Sequence, residues 1–260
     1  GGLSYPSTGS TGDGYAIAQS FGHKIVPCRP SLTALLPKDY KIDNTLSKLG
    51  NSLNGLSLKN ISLTLKIDSN IAQEEIGDID FTSGGLEGPL GFRVSRKGVA
   101  ALCNGQKVSV AIDFKPALSL EKLTSRIVSE LSNRTITLPE LKRLLRSLLP
   151  QKAILPLIDY ILHTTKPLSP KEIAEALKNW EFPIVGYVGY ERSVVTSGGV
   201  SLKEISQKSM ESKVCKGLFF AGEVIDIDAD TGGYNLQCAF SSATLAISSA
   251  LGGLSCFATL

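Results

Sequence analysis

"GLFFAGEVIDIDADTGGYN", Gly217 to Asn235, is the stretch on which the fold turns. It runs from a continuous apolar segment into a glycine–acid pair, places four carboxylates in Glu223–Asp230, and closes on a double glycine. Asp226, Asp228 and Asp230 alternate like the first ligands of an EF-hand, which also needs glycine at its sixth position and a bidentate Glu at its twelfth. Counted from Asp226, those positions hold Thr231 and Gln237. Gly217–Ala221 moreover reads as a strand where an EF-hand supplies a helix. A solvated acidic turn accounts for the three aspartates better than calcium does, and no metal is expected. A short apolar run closed by glycine is typical of a strand buried in a parallel sheet. Strand, Gly-acid, loop, Gly-Gly and helix together form a recurring cofactor geometry. The glycine lets backbone approach a phosphate or sugar, the carboxylate accepts from ribose-type hydroxyls, and the helix start aims free N–H groups outward.

Composition sets the frame around this stretch. The 260 residues, 42% hydrophobic and 20% charged, are those of an ordinary globular chain with room for one large domain or two smaller ones. Net charge is +3, too small to argue for nucleic acid. The excess is local: Ser119–Trp180 carries ten Lys/Arg against six Asp/Glu, interspersed as on a solvated helix surface. Five scattered cysteines, Cys28, Cys103, Cys215, Cys238 and Cys256, contain no C-x-x-C and read as reduced thiols of a cytoplasmic protein. His23 and His163, the two histidines, fall in no ligand pattern and read as structural. Thr231–Leu260 carries no charge, yet its serines and Gly252-Gly253 suit a helix buried in a protein core better than a bilayer span. Gly1–Gly14 is polar and glycine-rich, unlike a signal peptide.

Along the chain the pattern changes twice. Asp13 starts a short helix that stops before Gly22, and "KIVPC" follows as a strand. A β-rich stretch comes next, in which "ISLTLKI" and "VSVAIDF" alternate with period two. Between them Gly88-Pro89 opens a helix to about Cys103, with Asn104-Gly105 as the turn back. From Ser119 the sequence becomes helical, with Leu123, Ile127, Val128 and Leu131 on one face and capping boxes at Thr137–Glu140 and Ser169–Glu172. Pro156 is expected to divide or kink the third of these helices. After Pro183 the chain returns to strands.

Three longer stretches carry a family resemblance: "GGLSYPSTGSTGDGY" (Gly1–Tyr15), "FTSGGLEGP" (Phe81–Pro89) and the run from Val195 to Ala243. Together they resemble signature segments of the BaiN/YhiN-like flavoproteins, NAD(P)/FAD-dependent oxidoreductases. The resemblance implies an α/β fold with α+β insertions: a two-dinucleotide-binding-domain FAD fold, here a remnant, interrupted by a β-barrel-like insert and a helical insert. The implied division is residues 1–26 and 198–260 as pieces of the FAD domain, 27–118 as the β-rich insert, 119–182 as the helical insert, and 183–197 as return strands.

The same resemblance implies the site. Gly1 and Gly2 lie near the flavin, with Tyr5, Pro6, Thr8 and Gly9 in the loop that follows. Thr196, Gly198 and Gly199 lie close to the isoalloxazine. Gly222 and Glu223 form the strand-end pair near the pyrophosphate and ribityl chain, and Gly232, Gly233, Tyr234 and Asn235 start the helix. Glu223 is expected as a ribityl ligand and no catalytic acid or base is named. Two departures stand out: Ser83 and Glu87 occupy the family's usual histidine and serine positions, and no G-x-G-x-x-G occurs. The expectation is therefore the C-terminal larger part of an FAD oxidoreductase. It would work on a small-molecule substrate with NAD(P)H as electron donor, and a separate or preceding segment would supply the ADP-binding unit. Neither nucleic acid nor membrane is expected as a partner. The alternative is a flavin-free module that binds RNA or protein through the basic helices.

Overall fold

The computed structural model describes residues 1–131, 136–164 and 168–252. In chain order the elements are α1 (Asp13–Ser20), β1 (Ile25–Ser31), β2 (Leu35–Pro37), β3 (Lys41–Ile42), β4 (Thr45–Leu46), α2 (Lys48–Leu53), β5 (Leu56–Ile67), β6 (Asn70–Thr82), β7 (Gly85–Glu87) and α3 (Gly88–Cys103). Then come β8 (Val108–Asp113), α4 (Leu120–Leu131), α5 (Leu138–Leu148), α6 (Gln151–Thr164), α7 (Pro170–Lys178), β9 (Trp180–Tyr187), β10 (Val195–Val200) and α8 (Tyr234–Ala250). The chain divides into two compact units, one formed by Gly1–Thr33 with Val188–Leu260 and the other by Ala34–Tyr187.

The Ala34–Tyr187 unit is built on a closed barrel in the order β2-β7-β6-β5-β8-β9. Alternation along β5 sends Leu56, Leu58, Ile61, Leu63 and Leu65 inward, and Val108, Val110 and Ile112 do the same on β8. Asp68 and Ser69, both at positive φ, make the two-residue turn between β5 and β6, the twist that tight hairpins require. The long strand β6 escapes a periodicity reading because Ile71 and Ile76 are exposed among Gln73, Glu74 and Glu75. The helix α3 starts at Gly88-Pro89 and ends at Cys103, as the sequence dictates, and packs on β6, β5 and β2.

The barrel and the helices share one core, in which Phe81, Val110 and Trp180 are continuous with Leu123, Leu145, Leu157 and Leu177. Lys178 reinforces the join: its ammonium lies 2.6 Å from Asp113 and also donates to the carbonyls of Lys115 and Leu118. The expected division between 27–118 and 119–182 is thus corrected to a single unit. Its last strand, β9, begins inside the expected helical insert and closes the barrel against β2 and β8. The expected return segment 183–197 is split at Tyr187/Val188. Thr137 makes the full capping box with Glu140, whereas Ser169 accepts from the Glu172 amide. Val128 is exposed, unlike the other three residues of its expected face. Pro156 sits buried within α6, which runs through it as one helix.

The other unit pairs β1 with β10 antiparallel, from Ile25 opposite Val200 to Ser31 opposite Val195. The strand β1 therefore belongs here and not to an insert beginning at residue 27. Around this pair a second core gathers Tyr15, Ala18, Val200, Ile205, Met210, Phe220, Val224, Ile225 and Ala246. The apolar run Gly217–Ala221 is no continuous strand: it makes one bridge, Phe219 with Glu211, and the Phe220 amide donates to Met210 O. Periodicity cannot supply a ladder partner, and among the described residues no strand lies alongside it. Helix α8 also departs from expectation. Ser242 and Ala246 are buried, while Leu236 and Phe240 stay about two-thirds exposed. Absence of charge marked the helix, but the inward face is made of small residues. No helix among the described residues is long and apolar enough to cross a membrane. Cys256 and Gly253 fall outside the described residues.

Candidate functional site

The glycine-rich first residues return to the end of β10. Thr196, fully buried, holds them: its Oγ1 accepts the amides of Leu3 at 2.8 Å and Ser4 at 3.2 Å. With both acceptor positions filled, the Thr196 hydroxyl proton donates to Ser4 Oγ at 3.1 Å, and the Ser4 and Ser193 hydroxyls share a hydrogen bond at 2.8 Å. On the other side, the Thr196 amide donates to Glu223 Oε1 at 2.6 Å. Glu223 lies in a 3-10 turn, Gly222–Val224, whose Gly222 amide donates to Ser242 Oγ of α8 at 3.0 Å. Gly2 fills the remaining space. A Cβ there would stand 2.6 Å from both the Glu223 carboxyl carbon and Thr196 Oγ1.

Backbone geometry fixes the next glycines. Gly198 and Gly199 have φ of +91° and +135°, and a Cβ at Gly199 would lie 2.6 Å from Val224 O. Only glycine adopts this conformation without strain, so the 222–226 segment can lie directly against β10. Val200 and Ile225 make a parallel bridge just beyond. Gly233, at φ +88°, is the N-cap of α8, offers no side-chain cap, and has nothing within 4 Å of where a Cβ would be. The N-cap of α8 thus contributes no side-chain acceptor to its first amides, an arrangement that suits an anionic or polar ligand edge.

The expected residues are not all equivalent. Gly2, Thr196, Gly199, Gly222 and Glu223 come together, and Gly198 abuts Pro27 and Cys28. Tyr5, in the left-handed region, is held by its amide to Tyr190 O at 2.9 Å, while Thr8 and Gly9 close the following turn on Tyr5 O and Pro6 O. Gly1 lies beside Ser10, with Cβ space 3.8 Å from its hydroxyl. Asn235 is spent locally: its side chain accepts from the Ala229 amide and donates to the carbonyls of Ala229 and Asp230, closing the acidic loop. The Tyr234 ring packs over Gly232 and is exposed.

The aspartates are more engaged than a solvated turn allows. Asp228 accepts from Ser31 Oγ at 2.7 Å. Asp226 is bound by the Gly198 amide, but burial, reinforced by the charge of Asp228, raises its carboxyl above the usual range. Only Asp230 is fully on the surface. The Tyr15 hydroxyl donates to Glu223 O at 3.4 Å and is pushed strongly upward by burial, and burial also raises the Cys28 thiol. Sequence reading missed Ser4, Tyr15, Ser31, Ser193 and Ser242. Hydroxyls that only position backbone leave no spacing signature. No cluster of His, Cys, Asp and Glu fit to hold a metal occurs among the described residues.

Fold and site define an α/β protein in which a barrel-and-helix unit interrupts a unit that carries a glycine-lined, carboxylate-closed cradle. The chain belongs to the HI0933-like protein Rossmann domain family, whose model matches residues 1–249. The resemblance read from the sequence is thereby borne out. Among curated proteins the chain is 34% identical over 252 residues to a ribosomal RNA dihydrouridine synthase of Haemophilus influenzae, and 30% identical over 247 residues to one of Escherichia coli. It is 26% identical over 253 residues to a 3-dehydro-bile acid delta(4,6)-reductase of Clostridium scindens. These matches cover 94%, 94% and 95% of this chain, but 57%, 57% and 59% of the respective relatives.

Proposed function

We propose that this chain is the larger part of an FAD-dependent reductase that saturates a carbon–carbon double bond conjugated to a carbonyl. One observation carries the flavin reading. Glu223 spends Oε1 on the Thr196 amide and keeps Oε2 without a hydrogen-bond partner among the described residues, beside Gly2 and Gly199, where a Cβ would collide at 2.6 Å. That arrangement suits a polyhydroxyl chain. Glu223 would accept from a ribityl hydroxyl, Gly2 and Gly199 would keep the backbone close, and the uncapped start of α8 would face the pyrimidine edge of the isoalloxazine. Bound flavin supplies the two-electron hydride chemistry, and NAD(P)H is the proposed source of electrons.

The relatives' names support the reaction class. Dihydrouridine is uridine with its ring double bond saturated, next to a carbonyl. A 3-dehydro delta(4,6) bile acid carries its double bonds in conjugation with a 3-ketone. Both reductions add hydride to the carbon remote from the carbonyl and a proton to its neighbour, so that charge develops on an enolate oxygen. The flavin-free binding reading has less support. Arg126 and Arg143 of the basic helices are both engaged at Glu130, through its carboxylate and its carbonyl respectively.

We further propose that the ADP-binding unit is supplied by sequence beyond this chain. The test is to express the complete encoded protein and this 260-residue chain separately. The complete protein is expected to purify yellow, and its reduced form to be reoxidised anaerobically by a conjugated enone or a uracil nucleoside. A complete protein without flavin absorbance, or one whose reduced flavin ignores every conjugated carbonyl compound, would overturn the reading.

A further inference from the structure

His23, just past α1, is buried, and both its ring nitrogens are engaged. Nδ1 lies 3.1 Å from Glu204 Oε2 and Nε2 lies 2.8 Å from Ser212 Oγ. The serine fixes the direction of every proton in this chain of bonds. Ser212 Oγ accepts the Val214 amide at 3.0 Å and the Cys215 amide at 2.7 Å, which fills both of its acceptor positions. Its one proton must therefore go to His23 Nε2. The imidazole is then neutral with its proton on Nδ1, which donates to Glu204. Glu204 Oε2 also accepts the Lys24 amide at 2.8 Å.

The order Glu–His–Ser is that of an activated nucleophile, but the acceptor positions of Ser212 are spent on backbone amides and the residue is buried. What the relay does instead follows from what Ser212 and His23 hold. The Ser212 amide donates to Leu218 O at 2.7 Å, and the His23 ring packs edge-on against Phe220 with centroids 4.7 Å apart. Leu218 and Phe220 lead directly into Gly222-Glu223.

We infer that Glu204, His23 and Ser212 form a positioning relay that sets the 218–223 segment and so delivers Glu223 to the cradle. This rests on the proposed flavin reading for its consequence, though not for its geometry. The chain has two histidines, so ring-nitrogen spectra of the labelled chain, assigned with His163→Gln, resolve His23 directly. The expected spectrum is that of a neutral ring protonated on Nδ1 with a slowly exchanging proton. A ring protonated on Nε2 would overturn the relay.

Ser212→Ala should abolish that signature and speed exchange of the Phe220 amide by about tenfold or more, and Ser212→Thr should restore both. In the complete protein Ser212→Ala should weaken flavin binding by about tenfold, a loss comparable to one positioning hydrogen bond. Should that variant not fold, Glu204→Ala at the outer end of the relay should give the same exchange and flavin phenotypes. A variant that lowers the melting temperature yet leaves Phe220 exchange and flavin affinity unchanged would reduce the relay to packing and overturn the inference. A complete wild-type protein that binds no flavin would sink the cofactor reading alone, and the spectra and exchange rates would still decide the relay.

Discussion

Glu223 Oε1 accepts the amide of Thr196 at 2.6 Å, so the carboxylate proposed to meet the cofactor is also the backbone partner of a buried strand. The two duties separate by substitution. Glu223→Ala orphans the Thr196 amide and should cost about 1–3 kcal/mol of stability together with cofactor retention. Glu223→Gln still offers a side-chain oxygen to Thr196. It should keep near-parental stability while losing about tenfold in flavin affinity, because a neutral amide is the weaker acceptor. Denaturant titration and flavin absorbance read the two effects independently, and equal losses in both variants would contradict the separation.

Gly2 and Gly9 should differ in how much an alanine costs them. A Cβ at Gly2 would meet Glu223 and Thr196 at 2.6 Å, whereas Gly9, at φ +93°, has nothing within 4 Å. Gly2→Ala should therefore cost about 1–3 kcal/mol through overpacking and displace Glu223. Gly9→Ala should cost only about 1 kcal/mol of left-handed strain. Thermal melts of the two variants compare them directly.

Asp226 gives a pH signature. Burial and Asp228 raise its folded pKa, so the contribution it makes is present below the unfolded carboxylate range and is lost as pH rises through the folded value. Ionised Asp226 is thus a net liability at neutral pH. Asp226→Asn keeps an acceptor for the Gly198 amide and should be more stable than the parent at neutral pH, the gap closing in acid. Stability measured against pH would refute this if the variant were less stable at neutral pH or the gap widened on acidification.

Residues 34–187 should fold when expressed alone, with one cooperative transition. Their core runs unbroken from Phe81 and Trp180 to Leu145 and Leu177, and Lys178 ties α7 to Asp113. Asp113→Ala should destabilise barrel and helices together. Two separate transitions by circular dichroism and Trp180 fluorescence would show that the helices form their own domain.

Features with a local cause were legible in the residues alone. Alternation along 61–67 and 108–114 made strands because every second side chain had to leave water. Gly88-Pro89 started α3, and Thr137 with Glu140 capped α5, because turn and cap chemistry act within four residues. The stretches Gly1–Tyr15, Phe81–Pro89 and Val195–Ala243 carried the family resemblance, because each is a contiguous segment. Long-range packing settled that β1 pairs with β10, that the helices share the barrel's core, and that the run Gly217–Ala221 forms a single bridge. It likewise decided that Asn235 closes the acidic loop while Asp228 bonds Ser31 of β1, and that Ser4, Ser193 and Ser242 position the glycines. Those outcomes depend on which distant backbone groups find partners, and a donor or acceptor written in one segment says nothing of the segment that will satisfy it.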